Sequence, residues 1–206
     1  VRNYFSDLPI DSAEAAERVQ WLVDTPERLA QYAEIAESEG VNMAINIELD
    51  VGLHRGGIEP GEALNAMLET IRGSNRLRFA GFMGYEPHLA SLPTVLGWQN
   101  RAKHGAWEIY DAALAAAKSI VSEVEFLAAT RNAAGSPTYR LYENTDTANE
   151  ISVGSALVKP THFDTDLLAA FQPAAFIATP VLKSFDQTRM PAIEFADGAK
   201  RMLDPN

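Results

Sequence analysis

The feature that most constrains this sequence is its alternation between short apolar runs of strand length and longer stretches with helical spacing. Between the short runs, apolar residues recur at three- and four-residue steps, as in Leu64, Met67, Leu68 and Ile71. Repeated strand–helix units of this kind build parallel sheets. The pattern therefore predicts an α/β fold, either a (β/α)8 barrel or a doubly wound sheet. The predicted strands cover residues 19–23, 43–51, 77–85, 124–129 and 151–158.

The ends of two predicted helices carry capping signals. Thr25 is a candidate N-cap followed by Pro26 at the first helical position, and Gly40 ends that helix. Pro60 opens the next helix and Gly73 ends it. Each of these helices follows a predicted strand, as a repeated strand–helix unit requires.

The periodicity changes near residue 171. Residues 174–182 form a β-like run that Pro180 interrupts, and the remaining residues have no clear period. We therefore predict two regions, part of a barrel at residues 1–170 and the beginning of a β-domain at residues 171–206.

Charge and composition exclude several classes of partner. The net charge of −11 disfavours nucleic acid and anionic membranes, because association would begin against repulsion. No apolar run reaches the ~20 residues of a membrane helix, and the start of the sequence has no secretory signal pattern. Cysteine is absent, which excludes disulfides and thiolate metal sites but fits reducing and oxidising compartments equally well. We predict a cytoplasmic protein with no nucleic-acid or membrane partner.

A polar row on the second predicted strand is the most informative segment. Strand alternation puts Asn46, Glu48 and Asp50 on one face, with apolar residues on the other. In a parallel barrel such a row would point inward near the carboxyl-terminal rim, where barrel active sites lie. A half-exposed edge strand explains the spacing equally well. The glycine-rich segment that follows contains Arg55, and an arginine in such a loop is more often a surface residue.

A second polar group ends the third predicted strand, in the order Gly84, Tyr85, Glu86, Pro87, His88. An imidazole at a barrel rim could move a proton near neutral pH. A single histidine before an apolar helix is more often structural, so the pattern alone leaves both roles open.

Two glycine–serine turns are candidates for binding an anion. Gly135, Ser136 and Thr138 follow one predicted strand, and Gly154 and Ser155 lie in the next one. Small residues let backbone N–H groups approach an anion, and hydroxyls add donors. Most such turns are ordinary loops. Their place after the last two strands of the barrel region, where barrels commonly bind phosphate, is the stronger signal.

These motifs resemble those of the alanine-racemase-like, fold type III enzymes that depend on pyridoxal 5′-phosphate (PLP), nearest to the D-threonine aldolase and D-serine dehydratase group. The segment from Glu48 to Gly57 is similar to the family signature that places an arginine five residues after an aspartate. The segment from Gly84 to His88 resembles the Gly-Tyr-Glu-Gly-His motif of D-threonine aldolases, with Pro87 in place of a glycine. The resemblance covers residues 19–185 and implies a (β/α)8 barrel, incomplete at its N-terminus, followed by the start of a C-terminal β-domain.

The resemblance also implies roles for individual residues. In this family the arginine approaches the phenolic oxygen of PLP, which implies that role for Arg55. His88 would assist proton transfer at the substrate, so both residues are catalytic candidates. The implied cofactor contacts are Arg55, Tyr85, Gly135, Ser136, Thr138, Gly154 and Ser155.

The implied activity is a PLP-dependent lyase reaction, either aldol cleavage or dehydration, on a D-3-hydroxy amino acid such as D-threonine, D-serine or 3-hydroxyaspartate. An amino-acid racemase and a non-catalytic PLP-binding protein on the same fold are the alternatives. Family analogy further implies a homodimer.

Two parts of a complete site are not predicted within this sequence. Family members carry their Schiff-base lysine on the first barrel strand, which we expect upstream of Val1. None of the lysines here lies in a matching motif, and Lys159 is interpreted as peripheral. The group also uses a divalent metal held by its C-terminal domain, so no metal ligand is predicted in this sequence.

Overall fold

A computed structural model describes residues 1–7 and 10–184 of the chain. The chain divides into two compact units, Val1–Ala175 and Phe176–Asn206. The first unit contains every regular element described below. In the second unit, residues 176–184 form neither helix nor strand.

Five parallel strands form one sheet whose order follows the order of the chain. A doubly wound sheet reverses its strand order at a switch point, whereas a barrel adds each new strand next to the previous one. The observed order is therefore that of a barrel. The strands are β1 (Gln20–Val23), β2 (Met43–Leu49), β3 (Leu77–Gly84), β4 (Thr130–Ala133) and β5 (Glu150–Ile151).

The sheet is curved, because side chains from non-adjacent strands meet over one of its faces. Gln20 Nε2 on β1 donates to Thr130 Oγ1 on β4 at 2.9 Å, although β2 and β3 lie between these strands. Gln20 Oε1 also accepts from Asn46 Nδ2 on β2 at 2.9 Å. The polar row predicted on the second strand thus begins on the concave face, as inward-facing residues of a barrel do. The fold is a partial (β/α)8 barrel.

The helices precede or connect the strands. Thr25 Oγ1 accepts from Arg28 N and caps the helix α3 (Pro26–Glu39), while Gly40 ends it at a φ of 68°, which confirms both predicted signals. Among the described helices, none combines the length and the apolar character that crossing a membrane would require. The helices are α1 (Arg2–Asp7), α2 (Ser12–Glu17), α3 (Pro26–Glu39), α4 (Glu62–Gly73), α5 (Trp98–Ile120) and α6 (Glu123–Ala128).

The hydrophobic core lies between the sheet and the helices that pack on it. The predicted apolar face of α4 is buried, and it packs with apolar side chains of β2 and β3. Tyr110 on α5 is also buried, and its hydroxyl donates to the carbonyl oxygens of Phe82 at 2.9 Å and Asn132 at 3.0 Å. This hydroxyl ties α5 to β3 and β4 close to their carboxyl ends.

The strand predicted at residues 124–129 is wrong, because residues 124–128 lie in helix α6 and Ala129 is the cap at its end. Ser122 caps that helix by accepting from Glu125 N at 3.3 Å, and the Glu125 side chain reaches back to the Ser122 N–H in a capping box. This reciprocal cap stabilises a short helix in an apolar stretch that otherwise suits a strand. The strand β4 follows directly, at Thr130–Ala133.

The two later β predictions are also largely wrong. Of residues 151–158, only Ile151 lies in a strand, since the N–H groups of Gly154 and Ala156 donate to Ser136 Oγ instead of a neighbouring strand. Residues 174–182 form no strand: Ala174 N donates to the Val158 carbonyl oxygen at 2.9 Å, but the segment forms no ladder of such bonds with a strand in the described part of the chain. Residues 185–206 lie outside the described residues. The division into domains at residue 170 therefore stays a prediction.

Candidate cofactor site

The predicted site residues all follow the carboxyl ends of strands, at the same edge of the sheet. Parallel strands end at one edge, so loops that are distant in sequence meet there. Arg55 follows β2, Tyr85 and His88 follow β3, Gly135, Ser136 and Thr138 follow β4, and Gly154 and Ser155 follow β5.

Arg55 lies between a carboxylate and an aromatic ring. Its Nη2 is 3.6 Å from Glu48 Oε1, and its Cζ is 4.9 Å from the centroid of the Tyr85 ring. The ion pair and the cation–π contact together orient the guanidinium. The side chain is still 58% exposed, so donor groups remain accessible to a ligand at the rim.

The loop that carries Arg55 is fixed by Asp50. Asp50 Oδ1 accepts from the N–H groups of Gly52 at 3.1 Å and His54 at 3.0 Å. The loop then returns to β2, where Ile58 N donates to the Glu48 carbonyl oxygen at 2.9 Å. Gly57 has a φ of 95°, and a Cβ there would lie 2.5 Å from Asp50 N. Glycine is therefore required at this point of the turn.

Asp50 and His54 form a hydrogen-bonded pair at the entrance to this loop. His54 Nδ1 lies 2.8 Å from Asp50 Oδ2, and this hydrogen bond raises the pKa of the exposed imidazole. Burial alone would raise the pKa of Asp50, but the hydrogen bonds from His54 and Gly52 outweigh burial and lower it. Glu59 lies nearby, and one potential ligand atom from each of these three residues falls within 4.8 Å of the others. This group is largely exposed and is the only cluster of that kind among the described residues.

His88 lies in a short 3-10 turn, Pro87–Ser91, directly beyond β3. Its Nδ1 is buried and has no hydrogen-bond partner among the described residues. A Cβ placed on Gly52 would lie 3.6 Å from His88 Nε2, so this glycine leaves the imidazole close to the β2 loop. Burial lowers the pKa of His88, and the positive charge of His54 lowers it further. The ring is thus set up to be neutral near pH 7 and to accept a proton.

The two predicted anion-binding turns are joined by one hydroxyl group. Ser136 Oγ accepts from Gly154 N at 3.1 Å and from Ala156 N at 2.9 Å. Two backbone N–H groups of the β5 loop therefore converge on a single oxygen beside the β4 loop. A phosphate oxygen is bound by donors of the same kind.

Thr138 is buried, and its hydroxyl is used within the protein. It donates to Glu86 Oε1 at 2.9 Å and accepts from Gly135 N at 3.2 Å. The structure thus shows Thr138 as an anchor of its own turn, and a direct contact with a phosphate stays a prediction.

Glu48 and Glu86 are the residues of this edge to which the sequence assigned no role. Glu48 belongs to the polar row on the second strand, so its proximity to Arg55 could have been inferred from spacing. Glu86 is 1% exposed, and nothing in the sequence distinguishes a buried glutamate from a surface one. Its partners lie about 50 residues further along the chain, beyond the reach of local patterns.

Lys159 is buried, and its amine has two partners. Its Nζ donates to the Phe171 carbonyl oxygen at 2.9 Å and lies 3.0 Å from Asp164 Oδ1. These contacts are with residues that follow β5, so they stabilise local structure.

Comparison with known structures gives three informative similarities. D-threonine aldolase from Filomicrobium marinum matches with a TM-score of 0.58 and 23% identity, over 69% of this chain and 38% of that one. D-threo-3-hydroxyaspartate dehydratase from Delftia sp. HT23 matches with a TM-score of 0.58 and 17% identity, over 76% and 40% of the chains. Alanine racemase from Bacillus anthracis matches with a TM-score of 0.54 and 18% identity, over 71% and 34%. At these identities the similarity shows a shared fold, and the chain spans less than half of each structure.

No curated protein sequence matches the chain. The family described as alanine racemase, N-terminal domain, matches residues 2–161, which include all the strands and all the predicted site residues. The chain therefore belongs to the alanine racemase N-terminal domain family, the barrel domain of fold type III PLP-dependent enzymes.

Proposed function

We propose that this barrel binds PLP at the carboxyl-terminal edge of its sheet and serves a lyase that acts on a D-3-hydroxy amino acid. The observation that carries the proposal is that three elements meet at that edge: an oriented guanidinium, a half-buried imidazole with an unpaired Nδ1, and two turns whose N–H groups converge. These three elements suit an electron-withdrawing cofactor that carries a phosphate group.

The residues present fit this cofactor. Two N–H groups of the β5 loop now donate to Ser136 Oγ, and they are donors of the kind that a phosphate oxygen would take over from that hydroxyl. Arg55 offers a fixed cation for a phenolic oxygen. The His88 Nδ1 is an unpaired polar atom, and a bound ligand at the rim would give it a partner.

Each of these residues has a defined task in the proposed reaction. PLP, when bound, withdraws electrons from the α-carbon of the amino acid and so makes bond cleavage there feasible. Glu48 and Tyr85 hold the Arg55 guanidinium in one orientation, which favours a charged oxygen beside it. In aldol cleavage a neutral His88 would accept the proton of the β-hydroxyl as the Cα–Cβ bond breaks and an aldehyde leaves. In dehydration it would accept the α-proton and pass it to the β-hydroxyl, which leaves as water.

Support for a lyase comes from the segment from Gly84 to His88. It places the imidazole after a strand, as the aldolase motif that it resembles does. The homodimer, the cytoplasmic location and a metal in the whole protein stay predictions.

Calorimetric titration tests cofactor binding. Pyridoxamine 5′-phosphate is the suitable probe, because it has no aldehyde and cannot react with surface lysines. We expect Arg55→Ala to weaken the binding of pyridoxamine and of its phosphate by the same factor, of about tenfold, because the lost contact is with the ring. Arg28→Ala, which removes an exposed arginine on α3, is the matched control and should change neither affinity.

Product analysis of the whole protein tests the reaction class. With PLP and D-threonine or D-serine, a lyase releases acetaldehyde or pyruvate. Conversion of D-alanine to L-alanine without any carbonyl product would instead support the racemase alternative.

A further inference from the structure

Glu86 links the two loops that carry the candidate catalytic and phosphate-binding groups. It lies between Tyr85 and the turn that holds His88, at the end of β3. Its carboxyl reaches across to the β4 loop, where Oε1 accepts from Thr138 Oγ1 at 2.9 Å and Oε2 lies 3.4 Å from Ala134 N. The Tyr142 hydroxyl faces the same carboxyl group.

Burying the carboxyl group of Glu86 costs free energy, because the group loses its contact with water. Burial raises the pKa of Glu86, and the hydrogen bonds from Thr138, Ala134 and Tyr142 offset only part of that rise. An apolar side chain of similar size would fill the space without desolvating an acid. What such a side chain cannot supply is an acceptor for the Thr138 hydroxyl.

The contact with Thr138 determines the shape of the turn from Gly135 to Thr138. Because the hydroxyl hydrogen points to Glu86, the lone pairs of Thr138 Oγ1 are free to accept from Gly135 N, at 3.2 Å. Thr138 N and Tyr139 N also donate to the Gly135 carbonyl oxygen, at 3.0 and 2.9 Å. The turn is therefore closed by three hydrogen bonds, and the buried Ser136 lies on the side of the turn that faces the β5 loop.

We propose that Glu86 is a positioning residue for the phosphate of the cofactor, which acts through Thr138 to hold the turn from Gly135 to Thr138 in its binding shape. The inference rests on the proposed function and deepens it. It assigns Thr138 to the support of the phosphate site, and leaves the contact with phosphate to Ser136 and the N–H groups around it.

The test measures how much the phosphate group adds to binding, as the ratio of the dissociation constants of pyridoxamine and pyridoxamine 5′-phosphate. We expect Glu86→Met and Thr138→Val each to lower this ratio by about tenfold, since each removes a buried hydrogen bond from the turn. Glu86→Gln and Thr138→Ser are the matched controls. Both keep the hydrogen bond between positions 86 and 138, so both should stay within about twofold of the wild type.

Two further variants separate positioning from direct contact and from loss of folding. The double variant Glu86→Met/Thr138→Val should lower the ratio no more than Thr138→Val alone, because Glu86 acts on the turn through the Thr138 hydroxyl. Glu86→Asp keeps the charge and withdraws the carboxyl by about 1.5 Å, the length of one C–C bond. Glu86→Asp should also lower the ratio, and it takes the place of Glu86→Met in the test if Glu86→Met does not fold.

Several results would overturn the inference. If Glu86→Met or Glu86→Asp is folded and keeps the wild-type ratio while Thr138→Val loses it, Thr138 acts without Glu86, either through its bond with Gly135 N or by contact with the phosphate. If all these variants keep the ratio, the turn needs no support from Glu86, although phosphate binding itself still stands. If the wild-type protein binds both compounds equally, the proposed function fails together with this inference.

Discussion

Replacing Gly135 by alanine tests how tightly the β3 and β4 ends are packed at the proposed site. A Cβ on Gly135 would lie 2.3 Å from Cε2 of the Tyr85 ring and 3.2 Å from its Cδ2. Carbon atoms in contact are normally 3.5–4.0 Å apart, so the ring would have to move by about 1.2 Å. Arg55 stacks on this ring, and its guanidinium would move with it.

The expected destabilisation follows from that clash. Adding one methyl group to a packed site costs roughly 1–3 kcal/mol. For a domain of this size, each kcal/mol lowers the melting temperature by about 2–4 °C, so Gly135→Ala should lower it by about 2–12 °C. Because the stacked guanidinium moves, we also expect weaker binding of pyridoxamine itself.

Thermal unfolding followed by circular dichroism measures this effect, with Gly105→Ala as the matched control. Gly105 lies inside helix α5, and a Cβ there meets nothing within 4 Å. Gly105→Ala should therefore stabilise the protein by roughly 0.5–1 kcal/mol, whereas Gly135→Ala should destabilise it. A Gly135→Ala protein as stable as the wild type would refute the packing described for Tyr85.

Three further predictions follow from single contacts. Tyr110→Phe should destabilise the fold by about 1–3 kcal/mol in urea unfolding, because it removes a hydroxyl that bonds two strands, whereas Tyr32→Phe should have little effect. In NMR titrations His54 should have a pKa above 6.5, and Asp50→Asn should return it toward that value. Since the pKa of His54 is raised in the folded state, its pairing with Asp50 stabilises the fold below about pH 6.5, and this stabilisation is lost as the pH rises through the raised pKa. An unchanged pKa of His54 in Asp50→Asn would contradict the pairing. Ser136→Ala should speed amide hydrogen exchange in the β5 loop, and unchanged exchange would show that its hydroxyl does not hold that loop.

Local patterns predicted the elements whose stability is local. Strands β1, β2 and β3 lie at their predicted apolar runs, and Thr25 and Gly40 bound their helix as expected. Both signals are local, because hydrophobic patterning and capping depend on residues that are close in sequence. Strand β4 carries Arg131 and Asn132 and has little apolar character. Asn132 finds its hydrogen-bond partners on Glu150 and Ser152, which no local pattern could show.

For the candidate site, too, one part could be predicted from the sequence and another could not. Its placement could be predicted, since parallel strands bring their carboxyl ends to one edge and the motifs follow those ends. The supporting contacts could not be predicted, because they join residues from different strands. The contact of Tyr85 with Gly135 and the bond of Glu86 to Thr138 both depend on the spacing of β3 and β4 in the folded sheet.

The most direct test of cofactor binding at this edge is a 1H–15N NMR titration of the chain with pyridoxamine 5′-phosphate. We predict saturable shifts of the amide signals of Gly135, Ser136, Gly154 and Ser155 that inorganic phosphate reproduces in part and that pyridoxamine does not reproduce. Shifts confined to other regions, or none at millimolar ligand, would contradict the assignment of this edge as the cofactor site.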